Sequence, residues 1–398
     1  MKNNKKLVLF FLILIISVSV FADGFCEKYK SLPKIFEIQL KHSDRLENKS
    51  LAYIYKDHIV SSNKTVNDAI NRIVDDFDKE LSSKLSDSPS KKPKLYNRLD
   101  IDINYFRTGE SYLSNLIIAR FTKGRKQTDV SFKTATYNLK DGSTVTLKDL
   151  FGDNEKAYEF ISKRASEHLN SVFADDERNS EEIDRATSID GIKEADFTLS
   201  GVELTLHFNA KSFFKNRVGI LHVRFYYPEL REMMTDIGLK ASDNSKWKMI
   251  ALTFDDGPRG MNTSRFITAV RKQGMRVTFF TVGKLYDENK ALLHREYDAN
   301  HLIANHSWNH WNGHGLKPNA RLKQVNKVQD YLKKELGETS LFFRAPVGTY
   351  PPWISAEIGL PIIQWSLDTY DFKGRPANET FSKIKKYAKE GDIVLMHD

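Results

Sequence analysis

IALTFDDGP, residues 250–258, decides how the chain is to be read. An apolar run, Met249 to Phe254, ends abruptly in two adjacent carboxylates, Asp255 and Asp256, followed by Gly257-Pro258. Gly-Pro is a turn signal, so the run reads as a buried strand whose last residues emerge at a loop. Two further acid pairs give the comparison. Asp75-Asp76 falls in the helical pattern Val66, Ile70, Ile73, Val74, Phe77, Leu81, Leu85, where it occupies the wet face. Asp175-Asp176 sits in the polar run ADDERNSEE and reads as solvated surface. Only Asp255-Asp256 has an apolar strand before it and a tight turn behind it.

The surroundings of this stretch set the fold class. The polar segment KASDNSKWK, Lys240 to Lys248, marks a boundary, and beyond it strand and helix patterns alternate. Strands are expected at Met249–Phe254, Arg276–Val282, Leu302–Asn305, Leu341–Arg344, Pro361–Leu367 and Ile393–His397. The clearest helix is ARLKQVNKVQDYLKKELG, with Leu322, Val325, Val328, Leu332 and Leu336 on one face. Such alternation predicts an α/β domain of parallel strands with helical crossovers, as an open sheet or a barrel, over residues 241–398.

Residues 23–240 read instead as a smaller α+β domain. SLAYIYKD is extended and precedes the helix that ends near Leu85; SDSPSKKPK is then a loop. The β-rich runs YLSNLIIARF, FKTATYNL and STVTLKDLF follow, with a hairpin turn at Asp141-Gly142. AYEFISKRASEHLNSVF is a second amphipathic helix, and VELTLHFN and GILHVRFYY close the region as strands. His168, His207 and His222 read as isolated surface or packing residues.

The polar oddities of the C-terminal half each follow the end of a strand. NHSWNH follows Leu302–Ala304 and places His306 and His310 at i, i+4, one helical turn apart, the spacing that lets two nitrogens hold one metal. FFRAPVG, WSLDTYDF (with Asp368 and Asp371) and IVLMHD follow or end three other strands. In an α/β barrel these strand ends converge on one face. Two imidazoles and one carboxylate of the Asp pair make a hydrolytic metal site with a position left for water, and the second carboxylate is then available as a base. His301 and His314 fall outside the pairing and are read as non-ligands.

TFDDGP, HSWNH, RAPVG, DTYDF and LMH, in that order, resemble the five motifs of the polysaccharide deacetylases, the NodB-homology domains of carbohydrate esterase family four. VTFFTVGK is similar to that family as well, and the likeness runs from Lys248 to the last residue. It implies a distorted (β/α) barrel and one divalent metal ion, usually zinc. By position, Asp255 would be the general base and Asp256, His306 and His310 the metal ligands. Arg344 would hold the base, and His397, oriented by Asp371, would be the general acid. The backbone N–H of Val347 would face the oxyanion, while Leu395 and Phe372 would line the acetyl pocket. The family commonly has Tyr where Val347 stands and Trp where Phe372 stands, and it commonly continues with a further helix and strand after the fifth motif. TYNLKDGSTVTLKDLF and ELTLHFN…VGILHVRF resemble, less specifically, the domain that precedes the deacetylase in PdaC-type peptidoglycan deacetylases.

Composition bounds the remaining classes. Hydrophobic content of 40% and charged content of 28% over 398 residues describe a globular protein of two or three domains. MKNNKK followed by the 15-residue apolar stretch LVLFFLILIISVSVF reads as a signal peptide over residues 1–22, with cleavage after Ala22. That predicts an exported protein of the cell envelope, periplasm or medium; an uncleaved anchor is the alternative. Cys26 is the single cysteine, which excludes an intrachain disulfide, and Phe25 before it argues against a lipobox.

Residues 246–398 hold 23 Lys and Arg against 16 Asp and Glu, a basic excess suited to an anionic polymer. No aromatic-interleaved basic stripe or nucleic-acid motif accompanies it, and no obligate protein partner is indicated. The expected activity is hydrolysis of N-acetyl groups from an extracellular polysaccharide, foremost peptidoglycan. The rivals are chitooligosaccharide, poly-N-acetylglucosamine or O-acetyl xylan as substrate, or an inactive wall-binding protein.

Overall fold

The computed structural model describes residues 36–47, 52–86, 97–123, 126–311, 315–351 and 353–398. The expected signal peptide, Cys26 and His314 lie outside these residues, as does most of SDSPSKKPK. The chain divides into two compact units, one spanning Leu32–Lys246 and the other containing Trp247–Asp398. The N-terminal unit is therefore the larger, contrary to the expectation of a smaller leading domain. The division falls after Lys246, within the polar segment Lys240–Lys248, and a helix over Asp236–Ser242 ends inside that segment.

The N-terminal unit is built on a six-stranded sheet in sequential order: β1 (Gln39–Glu47), β2 (Ala52–Val60), β3 (Asn97–Thr108), β4 (Tyr112–Lys123), β5 (Lys126–Asn138) and β6 (Thr144–Val145). All neighbours are antiparallel except β2 and β3. The exception follows from connectivity. Helix α1 (Lys64–Ser86) crosses between those two strands, and a crossover returns the chain in the same direction. Its face of Val66, Ile70, Val74, Phe77 and Leu81 is buried, as its periodicity predicts, and Asp75 lies on the wet side, paired with Lys56 at 2.8 Å.

STVTLKDLF departs from its reading as a strand. After the two residues of β6, Thr146 caps the short helix α2 (Leu147–Phe151): its side chain accepts from the Asp149 N–H while the Asp149 carboxylate accepts from the Thr146 N–H at 2.7 Å. Thr-x-x-Asp is a capping box, and it outweighs the alternation around it. Helix α3 (Glu155–Ser171) and a three-stranded antiparallel sheet of β7 (Phe197–Leu199), β8 (Glu203–Asn209) and β9 (Ile220–Tyr226) follow, together with shorter helices such as Ser180–Thr187 and Asp236–Ser242. His207 and His222 are not isolated, as expected, but register partners on β8 and β9, both buried, with their Nδ1 atoms 2.8 Å apart.

The C-terminal unit is a parallel α/β structure. Strands β10 (Ala251–Asp255), β11 (Thr278–Thr281), β12 (Leu302–Asn305), β13 (Leu367–Asp368) and β14 (Ile393–His397) form a sheet in the order β12-β11-β10-β14-β13, every pair parallel. Helices α4 (Gly260–Lys272), α5 (Tyr286–Asp298), α6 (Pro318–Leu336) and α7 (Ala377–Tyr387) provide crossovers. Phe254, Phe279, Val394 and Met396 pack with Ile267, Val270 and Ile384 on one side, and Val325, Phe343 and Ile354 form a further cluster. Two single parallel bridges, Asn305 with Phe343 and Phe343 with Ile362, extend the sheet beyond β12. The segment 361–368 thus pairs at its start with Phe343 and at its end with β14, so the succession of parallel pairings returns to where it began. The segments expected as strands at Leu341–Arg344 and Pro361–Leu367 are reduced to these bridges and to the two residues of β13.

Candidate active site

Side chains of consecutive strand residues point to opposite faces. Asp255 and Asp256 escape that rule because Asp256 has a left-handed backbone, φ 79°, where the chain leaves β10. The turn brings both carboxyls to one imidazole. Asp255 Oδ2 lies 3.7 Å and Asp256 Oδ1 3.6 Å from His306 Nε2.

His310 joins them differently from the expected helical turn. The segment after β12 is a loop, with Ser307 at φ 66° and His310 at φ 61°. Side chains hold it in place of a helical ladder: the Ser307 N–H donates to Asn305 Oδ1 at 2.9 Å and the Trp311 N–H to Ser307 Oγ at 2.6 Å. His306 and His310 end with ring centroids 5.1 Å apart, and His310 Nε2 lies 3.1 Å from Asp256 Oδ1.

The donor set fits a divalent metal. One ligand atom each of Asp256, His306 and His310 lies within 4.8 Å of the others. His306 Nδ1 faces the Arg344 carbonyl at 2.8 Å, which assigns it the proton and leaves the Nε2 lone pair aimed at the cluster. Asp256 Oδ1 is buried and, despite the 3.1 Å approach of His310, has no aligned hydrogen-bond donor. Three electron-rich atoms thus converge on one point without satisfying each other, as metal ligands do. Burial alone would raise the Asp256 carboxyl, but the nearby His310 and His306 outweigh it and hold it at about 2. Burial pushes the His306 imidazole down, and it outweighs the opposing pull of the Asp255 and Asp256 carboxylates. Asp256 is therefore ionised and His306 neutral, the states that bind metal.

Asp255 belongs to a second network. It is buried, with Oδ1 accepting from Arg344 Nη1 at 2.8 Å. Arg344 is itself fully buried, its guanidinium carbon 4.0 Å from the Phe280 ring centroid and 5.6 Å from that of Trp365. Its remaining donors reach Thr253 Oγ1 at 2.7 Å and the carbonyls of Ile363 and Gln364 at 3.1 and 3.3 Å. Burial lowers its pKa, but the group stays a cation because Asp255 opposes the shift. Arg344 thus holds one carboxylate oxygen, while the other, Oδ2, faces His306 at 3.7 Å.

His397 faces Asp255 from the neighbouring strand, since the two are register partners of β10 and β14. The Asp371 carboxylate takes both its groups, accepting from the backbone N–H at 2.7 Å and facing Nδ1 at 2.8 Å. Burial disfavours the imidazolium, but Asp371 outweighs it and the His397 pKa is raised. Phe372 packs its ring 5.3 Å from that of His397 and is largely exposed. Leu395 is buried beside Thr253 in the same pair of strands. Val347 is two-thirds exposed in a tight turn after Arg344, at φ 58°.

Asp255, Asp256, His306, Asp371 and His397 lie at or just beyond a strand's C-terminal end, whereas Leu395 is central in β14 and Arg344 and Val347 follow the single bridge at Phe343. Sequence reading missed Thr253, which shares the Arg344 guanidinium with Asp255. The signal was available, because positions two apart on a strand share a face. Phe280 and Trp365, which enclose Arg344, carry no comparable mark. His301 is buried in T-shaped contact with Phe279 and is not among the three clustered ligand residues.

Parallel strands presenting a His-His-Asp cluster, an Arg-clamped carboxylate and an Asp-His pair at one edge define a hydrolase type of site. Residues 242–359 match the polysaccharide deacetylase family model. The chain is 37% identical over 151 residues to the peptidoglycan-N-acetylglucosamine deacetylase PgdA of Listeria monocytogenes, covering 38% of this chain and 32% of that relative. It is 30% identical over 156 residues to a peptidoglycan-N-acetylglucosamine deacetylase of Bacillus cereus, covering 38% and 73%. The solved structure of the peptidoglycan deacetylase PdaC from Bacillus subtilis aligns over 38% of this chain and 75% of that one, at 30% identity and a TM-score of 0.37. The chain belongs to the polysaccharide deacetylase family. It spans about a third of the length of PgdA, and all of the N-terminal unit but its last five residues lies outside the family match.

Proposed function

We propose that this protein is a metal-dependent hydrolase that removes N-acetyl groups from the amino sugars of an extracellular polysaccharide, with peptidoglycan as its substrate. One observation carries the reading: adjacent aspartates are divided between two networks, Asp256 with His306 and His310, Asp255 with Arg344. Two imidazoles and a carboxylate suit zinc. Bound there, the ion would supply Lewis-acid polarisation of the acetyl carbonyl and lower the pKa of water.

The chain's own groups would do the rest. Asp255, held by Arg344, takes the proton of the attacking water. His397 gives a proton to the amide nitrogen, which leaves only as an amine, and Asp371 keeps that imidazole charged towards neutral pH. The Val347 N–H supports the developing oxyanion. Leu395 and Phe372 bound the space for the acetyl methyl. The returning succession of parallel pairings supports a distorted (β/α) barrel as the frame.

A wall substrate agrees with the signal peptide read over residues 1–22, and we assign the protein to the cell envelope or medium. The likeness of the N-terminal unit to the leading domain of PdaC-type deacetylases supports a wall- or substrate-binding role for it. The test is acetate release from purified peptidoglycan strands, chitooligosaccharide, poly-N-acetylglucosamine and acetyl xylan, with and without chelator. Chelator-sensitive release from peptidoglycan is expected. Release from acetyl xylan alone would replace the amide substrate by an ester, and metal binding without release from any glycan would make the domain a binding module.

A further inference from the structure

The turn Pro346–Gly348 is left-handed at two successive residues, Val347 at φ 58° and Gly348 at φ 71°. Glycine adopts that conformation freely, but a β-branched residue is sterically disfavoured there, so the turn needs to be held from outside. The Gly348 N–H closes it on the Ala345 carbonyl at 3.0 Å. The outer hold comes from two consecutive residues of the segment after the Phe343–Ile362 bridge. Gln364 Nε2 donates to the Gly348 carbonyl at 2.8 Å. Trp365 closes the other side, since a Cβ on Gly348 would come within 2.5 Å of its ring.

Gln364 has a second attachment. Its backbone carbonyl accepts from Arg344 Nη2 at 3.3 Å, and Arg344 Nη1 holds Asp255 at 2.8 Å. One residue therefore touches both the turn bearing Val347 and the cation that fixes Asp255. Its Oε1 is buried and has no hydrogen-bond partner. With its acceptor unsatisfied, the side chain acts through the bond that its Nε2 donates to Gly348.

We infer that Gln364 is a positioning residue, holding the Val347 N–H in register with the Arg344-clamped Asp255 through its bond to the Gly348 carbonyl. The inference rests on the deacetylase reading above. It acts through geometry, since displacement of an aligned donor costs turnover while substrate binding elsewhere along the glycan persists.

Two variants test it in the full-length, metal-loaded protein. Gln364→Met keeps the length and removes the donor; Gln364→Glu is nearly isosteric and donates only when protonated. For Gln364→Met, kcat should fall by roughly tenfold to a hundredfold, with KM within about twofold and metal stoichiometry unchanged. For Gln364→Glu, activity relative to wild type should rise as pH falls, because the protonated carboxyl regains the bond to Gly348 while the carboxylate repels it. Should Gln364→Met fail to fold, the pH ratio of Gln364→Glu decides alone. A KM increase at unchanged kcat, loss of metal, or a ratio flat with pH would overturn the proposal. Wild type that releases acetate alongside variants that match it removes this inference only; wild type that releases none removes the deacetylase reading beneath it.

Discussion

Asp255→Asn leaves the ligand atoms of Asp256, His306 and His310 in place, so elemental analysis should find metal still bound. The amide cannot accept a proton, and acetate release should fall by roughly 10²–10⁴-fold, the usual loss of a general base. Retained turnover would exchange the roles of the two aspartates. Asp371→Asn acts on the other partner. His397 must be protonated to act as an acid, and its pKa is raised by Asp371. Removing that charge lowers the pKa, so the alkaline limb of the pH–rate profile should move down by on the order of one unit. The acid limb of the profile should stay where it is. Much at this scale was legible, because an acid pair at a strand end and two histidines four apart are rare enough to stand out. The neighbours that give Asp255 its role were less so. Thr253 shares a strand face with Asp255, but its bond to Arg344, like that of Gln364 to Gly348, reaches a group distant in sequence, and no local pattern records the partner.

Helices α5 and α6 are joined by Glu335, which accepts from Lys290 Nζ at 2.8 Å and lies 3.8 Å from His294 Nε2. His294 first, and Lys290 with it, outweigh burial and hold the Glu335 carboxyl at about 2. A depressed carboxyl contributes stability above its unfolded pKa and loses it as pH falls through the folded one. Glu335→Gln should therefore cost about 1 kcal/mol at neutral pH, given the exposure of Lys290, and progressively less as pH falls from the ordinary carboxylate range through about 2. Denaturant melts across that range would check this; a loss independent of pH would assign it to packing. Periodicity predicted α1, α3 and α6 because each has one continuous apolar face. It failed at Thr146, where two cap hydrogen bonds decided between helix and strand, and at His306–His310, where spacing alone could not distinguish a helical turn from a loop tied by side chains. Long alternating runs gave β4 and β5, whereas the segments around Phe343 and Ile362 make too few pairings to count as strands.

For the molecule as a whole, both units carry their own buried apolar cores, and the candidate metal ligands lie on turns beyond the strand ends. Chelation should abolish acetate release while leaving the far-UV circular dichroism unchanged, and added zinc should restore activity. Unfolding on chelation would make the ion structural. Residues 361–368 raise a mechanical question about the C-terminal unit. They are the narrow stave of a hoop, fastened on one side through Phe343 and Ile363 and on the other through Ser366 and Ile393. A hoop springs open at its narrowest stave. Here the opening would slacken the grip of Ile363 and Gln364 on Arg344 and shift Asp371 from His397, disarming acid and base in one event. On slow warming, catalysis should fall silent several degrees before the helices melt, and the amides of Ile363 and Ser366 should be among the first to exchange with deuterium.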